Sequence, residues 1–402
     1  MTKLEELIKE FCPNGVEYVK IGSVVNYEQP SKYLVKKADY KEEYSTPVLT
    51  AGQTFILGYT NEMNGIYNAS KDSPVIIFDD FTGAFKWVDF PFKVKSSAIK
   101  FLKANEKRAM LRYIFHVMGN INLTSTEHKR LWIGIYSELQ IPLPALPVQR
   151  EIVRVLDSFT LYSAELTAEL TARRKQYEFY RDKLLNFDRG NIQQVKLKDI
   201  CGKVSNIKWQ SDDNEYAYID LSSVDRETHK ITIEQRINKE NAPSRAQQIV
   251  NKGDILFATT RPTLKRYCKI TGEFNGQICS TGFVVLRPNI NIILSSYLYY
   301  IVSSDRFFTY VEKNQEGTSY PAISDSKVKE FDFSLPPIDV QERIVKVLDN
   351  FDAICSDLGI GLPAEIEKRQ KQYEYYREKL LTFDGKSETI LRQTDRQTDR
   401  AD

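Results

Sequence analysis

The stretch LPALPVQREIVRVLDSF, from Leu143 to Phe159, returns as LPPIDVQERIVKVLDNF from Leu335 to Phe351, 192 residues further on. A second run, KQYEFYRDKLLNF from Lys175, returns as KQYEYYREKLLTF from Lys371, 196 residues on. Identity of this kind over two runs does not arise from composition. The chain is an internal duplication, with four extra residues inside the second copy of the repeated element. Each copy is a variable stretch followed by a helix.

The helices have a recognisable seam. Ile152, Leu156, Phe159, Ser163, Leu166, Leu170, Arg173, Tyr177, Tyr180, Leu184 and Phe187 alternate spacings of four and three, and nine of the eleven are apolar or aromatic. That is a 3.5-residue period, which predicts a coiled coil of about 35 residues, roughly 50 Å long. The second seam runs Ile344, Leu348, Phe351, Cys355, Leu358, Leu362, Ile366, then Tyr373, Tyr376, Leu380 and Phe383. Its extra four residues form one stutter, and Gly359, Gly361 and Pro363 beside it predict a kink or a restarted helix. Two seams in one chain most simply pack antiparallel against each other; the alternative is two helices each packed on its own domain.

Between the helices, runs such as SPVIIFDD (Ser73–Asp80), GDILFATT (Gly253–Thr260) and STGFVVLRP (Ser280–Pro288) are short, β-rich and bounded by turn residues. They align across the duplication: Ile77-Phe78 with Leu256-Phe257, Phe85-Lys86 with Leu264-Lys265, and Ser96-Ser97-Ala98 with Ser280-Thr281-Gly282. The expected fold class is α+β: two mixed α/β domains separated by a long antiparallel helical coiled-coil pair, with internal pseudo-two-fold duplication. The expected boundaries are an N-terminal helix over 1–15, a first domain over 16–144, a central spacer helix over 145–189, a second domain over 190–336, a C-terminal spacer helix over 337–384, and a disordered repeat tail over 385–402.

At 402 residues, 42% hydrophobic and 27% charged, the chain is long enough for two domains with cores of their own. Five scattered cysteines without CxxC spacing argue for reduced thiols in a cytoplasmic protein. The opening MTKLEELIKEF is amphipathic and charged, unlike a signal peptide, and no apolar run approaches the ~18 residues of a membrane span. Catalytic motifs are missing as well. The one GKS, at Gly385–Ser387, lacks the earlier glycine of a phosphate loop, no Asn/Asp-Pro-Pro-Tyr motif is present, and Pro336-Pro337 reads as a strand-to-helix turn. His116, His128 and His229 stand apart from one another and from carboxylate clusters, so ordinary surface or core roles are expected for them.

The repeated LPxxxVQxxIVxVLDxF and KQYExYRxKLL segments, the GDILFATTRPTLKRY stretch and the TAEL at 167–170 with its near-copy before it resemble the specificity subunits of type I restriction-modification enzymes. The resemblance covers almost the whole chain, up to Asp384. It implies two target-recognition domains held by a helical pair, each reading one half of a split sequence in double-stranded DNA. It implies a non-catalytic chain with two kinds of partner: two methyltransferase subunits, which modify adenine with S-adenosylmethionine, and ATP- and Mg-dependent motor-nuclease subunits. A stand-alone DNA-binding regulator and a structural coiled-coil adaptor are the alternatives.

Recognition chemistry is concentrated between Asn251 and Ile270, where Lys252, Arg261, Lys265, Arg266 and Lys269 face one acid, Asp254. Cations interleaved with Thr259, Thr260, Thr263 and Tyr267 can neutralise phosphate and hydrogen-bond base edges, whereas the plain reading is a solvated loop. The aligned loop of the first domain carries Asp80, Thr82, Lys86 and Trp87; a carboxylate there can accept from cytosine N4, and Trp87 is core or contact. On the repeated helices Lys175, Arg181 and Lys183 match Lys371, Arg377 and Lys379, a candidate face for two copies of one partner. The tail RQTDRQTDR at 392–400 is polar and of period four, as an uninterrupted GACA tract would encode. Slippage there would make the protein's end phase-variable; a charged solubilising tail is the alternative.

Overall fold

In a computed structural model, which describes residues 2–52, 54–121, 130–186, 192–356 and 361–383, the duplication is written into the strand order. The chain opens with α1 (Lys3–Phe11), β1 (Glu17–Lys20), β2 (Val25–Glu28), β3 (Thr46–Leu49), β4 (Ile56–Thr60), β5 (Val75–Asp79), β6 (Phe85–Val88), β7 (Lys93–Val94), β8 (Ile99–Ala104), α2 (Leu111–Met118), α3 (Leu131–Gly134), β9 (Gln140–Leu143) and the long α4 (Leu146–Leu185). It continues with β10 (Gln193–Lys196), α5 (Leu197–Ile200), β11 (Cys201–Gly202), β12 (Tyr216–Ile219), β13 (Arg236–Ile237), β14 (Ala246–Ile249), β15 (Ile255–Ala258), β16 (Tyr267–Lys269), β17 (Ile278–Ser280) and β18 (Phe283–Pro288). The last elements are α6 (Ser295–Ser303), α7 (Asp305–Asn314), α8 (Asp325–Lys329), β19 (Asp332–Leu335), α9 (Ile338–Ser356) and α10 (Leu362–Leu381).

Two compact units result, one of residues up to Ala164 together with those from Glu367, the other of Glu165–Ile366. The first holds a β1-β9 pair, a four-stranded sheet β2-β8-β5-β6 and a sheet β4-β3-β7; the second holds β10-β19, β11-β18-β15-β16 and β13-β12-β17-β14. The β3/β7 and β12/β17 pairs are parallel, and the other ladders are antiparallel.

The central strands explain the apolar runs. Successive side chains of a strand point to opposite faces. Val75 and Ile77 of β5 therefore enter one core, with Phe92, Ile99 and Phe101, while Ile76 and Phe78 enter another, with Leu102, Trp132 and Tyr136. β15 does the same: Ile255 and Phe257 join one cluster, Leu256 and Ala258 a second. A strand buried on both faces has no polar alternation to show.

The strand registers correct one sequence alignment. Phe78 pairs with Phe85, and Phe257 pairs with Tyr267, so Phe85 corresponds to Tyr267 and not to Leu264. The second hairpin connection is three residues longer, and a gap inside divergent loops leaves no trace in an ungapped comparison.

α1 starts at a capping box in which Thr2 and Glu5 satisfy each other's backbone N–H groups, and Leu4, Leu7 and Ile8 lean on the first unit's core. Within that unit α4 meets α10 antiparallel: the Phe159 ring stacks on Tyr376, and the Arg369 guanidinium lies 4.9 Å from the Tyr162 ring. Within the second unit α4 meets α9 in the same sense, with Tyr180 stacked on Phe351. Helix restart after the stutter is observed. α9 ends at Ser356 and α10 begins at Leu362, with Pro363 in the first turn, where its lacking N–H costs no helix bond. Leu358 and Gly359, like Phe187, His128 and the tail from Asp384 onward, lie outside the described residues.

Each recognition-sized unit is bolted to its helix by a buried glutamine. Gln149 accepts from Met110 N (2.9 Å) and donates to Arg108 O (2.9 Å) and Pro144 O (2.8 Å). Gln341 repeats this, accepting from Leu294 N (2.9 Å) and donating to Ile292 O (3.1 Å) and Pro336 O (2.9 Å). Both are fully buried. The five cysteines are unpaired thiols, and among the described residues no helix is long and apolar enough to cross a membrane.

Candidate nucleic-acid interface

In the second unit Arg261, Lys265 and Arg266 of the stripe lie on the connection between β15 and β16, with Lys252 before β15 and Lys269 at the end of β16. Pro262 opens a 3-10 turn over Pro262–Leu264, and the residues bracketing it, Arg261 (φ 49°) and Lys265 (φ 53°), are both left-handed. Left-handed backbone costs an L-residue about 1–2 kcal/mol, and Arg261 also precedes a proline, which further restricts it. The surroundings hold the shape. Thr259 donates through both its N and Oγ1 to Gly282 O (2.9 and 3.0 Å), Arg261 N donates to Pro321 O (2.7 Å), and the Arg266 guanidinium donates to Leu221 O and to Val224 O (2.8 Å).

These contacts sort the predicted residues. Thr259 and Tyr267 are buried; the Tyr267 ring stacks on His229 at 3.9 Å between centroids, and burial pushes its hydroxyl pKa up. Arg266 is consumed in tethering the 221–224 segment, and Thr260 is half-buried in a bridge to Ala322. Arg261, Thr263, Lys265 and Lys269 face solvent. Lys265 Nζ lies 4.9 Å from the Phe308 ring centre, and Lys269 Nζ donates to Ser296 Oγ (2.9 Å).

Neighbouring loops add cations that the linear stripe does not contain. Arg245 is exposed, and its carbonyl accepts from Thr281 N (2.9 Å), next to the Gly282 that anchors Thr259. Arg226 is exposed and near enough to Arg266 to help burial lower that guanidinium's pKa. Their segments, PSRAQ and VDRET, carry no periodicity or motif, so only charge marked them.

The first unit presents a different tip. Asp79 accepts from Phe81 N (3.0 Å) and Thr82 N (2.9 Å), closing a turn in which Gly83 is left-handed and Phe81 and Thr82 are exposed. Asp80 points inward. It is 1% exposed, accepts from Trp132 N (2.8 Å) and sits 3.4 Å from the buried Lys100 ammonium. The carboxylate expected to meet cytosine is thus spent on the core: Asp79, the last residue of β5, caps the turn, and Asp80, just past the strand, is held inside by Trp132 N and Lys100. Lys86 and Trp87 are half-buried in β6, with the Arg112 guanidinium 4.7 Å from the Trp87 ring.

The helix positions divide similarly. Lys175, Lys183, Lys371 and Lys379 are exposed, Lys371 paired with Glu367 at 2.6 Å. Arg181 is 6% exposed and paired with Asp182 (2.8 Å) and Asp305 (3.1 Å) inside the second unit, which removes it from a partner-facing role. Arg377 is half-buried, its guanidinium 5.3 Å from the Tyr373 ring. Off the seam, Phe179 and Tyr375 occupy matching repeat positions and are 62% and 59% exposed, each with a lysine ammonium 5.9 Å from its ring. Exposed aromatics rimmed by charge have the composition of interface anchors. Among the described residues no three His, Cys, Asp or Glu side chains cluster as metal ligands.

A family profile described as "Type I restriction modification DNA specificity domain" matches residues 13–173 and again 190–368. The type I restriction enzyme EcoR124I/EcoR124II specificity subunit of Escherichia coli is 39% identical over 97% of this chain and 100% of its own. In fold, the S subunit of a type I restriction-modification system from M. genitalium superposes with a TM-score of 0.56, covering 91% of this chain and 96% of that one at 14% identity. The duplicated sheets, the paired helices and the two profile matches agree, and the chain belongs to the type I restriction-modification specificity subunits, non-catalytic DNA-recognition subunits with two target-recognition domains.

Proposed function

We propose that the domains over 16–144 and 190–336 each read one half of a split, asymmetric DNA target, while the spacer helices over 145–189 and 337–384 fix the gap. The carrying observation is one sheet order used twice with unlike connections: Arg261 and Lys265 at the tip in the second unit, Phe81 and Thr82 in the first. Arginine reads guanine bidentately, whereas a hydroxyl and a ring edge serve other bases. Phosphate contacts are assigned to Lys269, Arg245 and Arg226, and Lys86 stands beside the first tip.

Catalytic cofactors in this family belong to the modification and restriction subunits. We assign the matched Lys175/Lys371 and Lys183/Lys379 faces, with Phe179 and Tyr375 between, to two copies of one methyltransferase subunit; motor-nuclease subunits complete the assembly. The test is reconstitution. The chain alone should show no methyl transfer, ATP hydrolysis or DNA cleavage, and with methyltransferase subunits it should give a complex of one chain to two partners that methylates a single bipartite sequence. A one-to-one complex at saturating partner, or methyl transfer by the isolated chain, overturns this reading.

A further inference from the structure

We propose that Tyr320 is a specificity-determining positioning residue: its ring holds the Arg261 guanidinium in the orientation that reads a base. This rests on the reading of the second unit as a DNA-recognition domain.

Tyr320 sits on a loop closed by the Glu316–Ala322 bridge, with both backbone bonds of that pair made (2.8 and 2.9 Å) and a left-handed Gly317 (φ 91°) at its turn. The loop is stitched to the β15–β16 connection by the Thr260–Ala322 bridge and by Arg261 N donating to Pro321 O (2.7 Å). Tyr320 is nonetheless 71% exposed, and the Arg261 guanidinium lies 4.4 Å from its ring centre. An aromatic ring so exposed contributes little to the core. Strained backbone persists only where its surroundings over-determine it, and Arg261 is both left-handed and followed by proline. The strained backbone places one arginine, and the Tyr320 ring beside it restrains its guanidinium. A planar guanidinium already restrained by a ring loses little further freedom when its N–H groups meet guanine O6 and N7. Among the described residues the other cation of the stripe over a ring is Lys265, 4.9 Å from Phe308, and that ring belongs to helix α7 and is buried.

The experiment is methylome sequencing of the assembled methyltransferase carrying Arg261→Ala, Tyr320→Ala, Tyr320→Phe or the Arg261→Ala/Tyr320→Ala pair. Arg261→Ala should relax one base pair of one half-site, by roughly ten- to hundred-fold in discrimination. Tyr320→Ala should relax that same base pair by about five- to tenfold, Tyr320→Phe should stay within about twofold of the parent, and the double variant should be no worse than Arg261→Ala, as expected for one interaction removed twice. An unchanged half-site in Tyr320→Ala, relaxation at a different base pair, or an equal loss on all sequences overturns the inference while leaving the base-reading role of Arg261 intact. If Arg261→Ala itself relaxes nothing, the assignment of Arg261 fails, and the inference fails with it.

Discussion

Phe159 stacks on Tyr376 with ring centroids 5.2 Å apart and planes 20° from parallel, and its repeat equivalents, Phe351 and Tyr180, stack at 5.9 Å and 25°. Each pair lies inside one unit and joins the first part of one repeated helix to the last part of the other. The duplication therefore makes two copies of the same helix–helix contact, one per unit, from residues that are seam positions in the sequence.

Removing one ring should be felt in one unit only. Phe159→Ala should cost the first unit about 1–2 kcal/mol, the scale of an aromatic pair with its partial burial, and should speed amide exchange over 367–381. Phe351→Ala should do the same over 166–185. Faster exchange in both segments from either variant would show that the contacts are not independent.

The buried glutamines predict a larger effect. Gln149→Leu leaves Met110 N, Arg108 O and Pro144 O without their partner, and unsatisfied buried groups cost about 1–3 kcal/mol each. Allowing for relaxation, a loss of roughly 3 kcal/mol is expected in urea unfolding, and Gln341→Leu should match it. A loss below about 1 kcal/mol would mean that water replaces the amide.

Acid should loosen the second domain through His229. Burial lowers its pKa to about 4 in the folded chain, against an ordinary value of 6.5, with Asp225 opposing and Lys265 and Arg181 adding to the shift. The unfolded chain takes up the proton first, so stability is full above pH 6.5 and declines as the pH falls toward 4. His229→Asn keeps a residue that tolerates left-handed backbone (φ 54° here) and does not titrate. The variant should lose close to one proton of pH dependence in thermal unfolding over that window. His116, lowered by burial against the pull of Asp157, should still contribute its own slope, so the difference between the two curves is the measurement; identical curves would exclude His229.

The helices and the duplication were legible because they repeat: a 3.5-residue period and two near-identical runs survive without knowledge of any contact. The restart at Leu362 was legible too, from Gly and Pro at the stutter. The recognition surface was only partly so. Arg261 and Lys265 stood out by charge, but the backbone of Arg261 is tied by a hydrogen bond to Pro321 O on a loop sixty residues later, and Arg245, Arg226 and Tyr320 reach the same region along segments with no pattern of their own. Asp79 and Asp80 look equivalent in sequence. Which one caps the turn and which one is buried is decided by Lys100 and Trp132, partners 20 and 52 residues from Asp80 that no local pattern announces. Arg181 looked like a partner contact because its repeat position is conserved between the copies, yet Asp305, 124 residues away, takes it up.

The helices also predict the spacing of the target. α4 is continuous from Leu146 to Leu185 and carries TAEL at 167–170. Inserting a further TAEL after Leu170 adds four residues, about 6 Å of helix at 1.5 Å per residue, and gives the first seam a stutter like the one the second already accommodates. The protein should fold, and each domain should keep its half-site. On B-DNA at ~3.4 Å per base pair, 6 Å is at most about two pairs, so the non-specific gap should lengthen by one or two. Methylome sequencing of the insertion variant decides the matter: an unchanged gap with unchanged half-sites would mean that the helices do not set the spacing, and altered half-site bases would mean that the recognition surfaces depend on helix register.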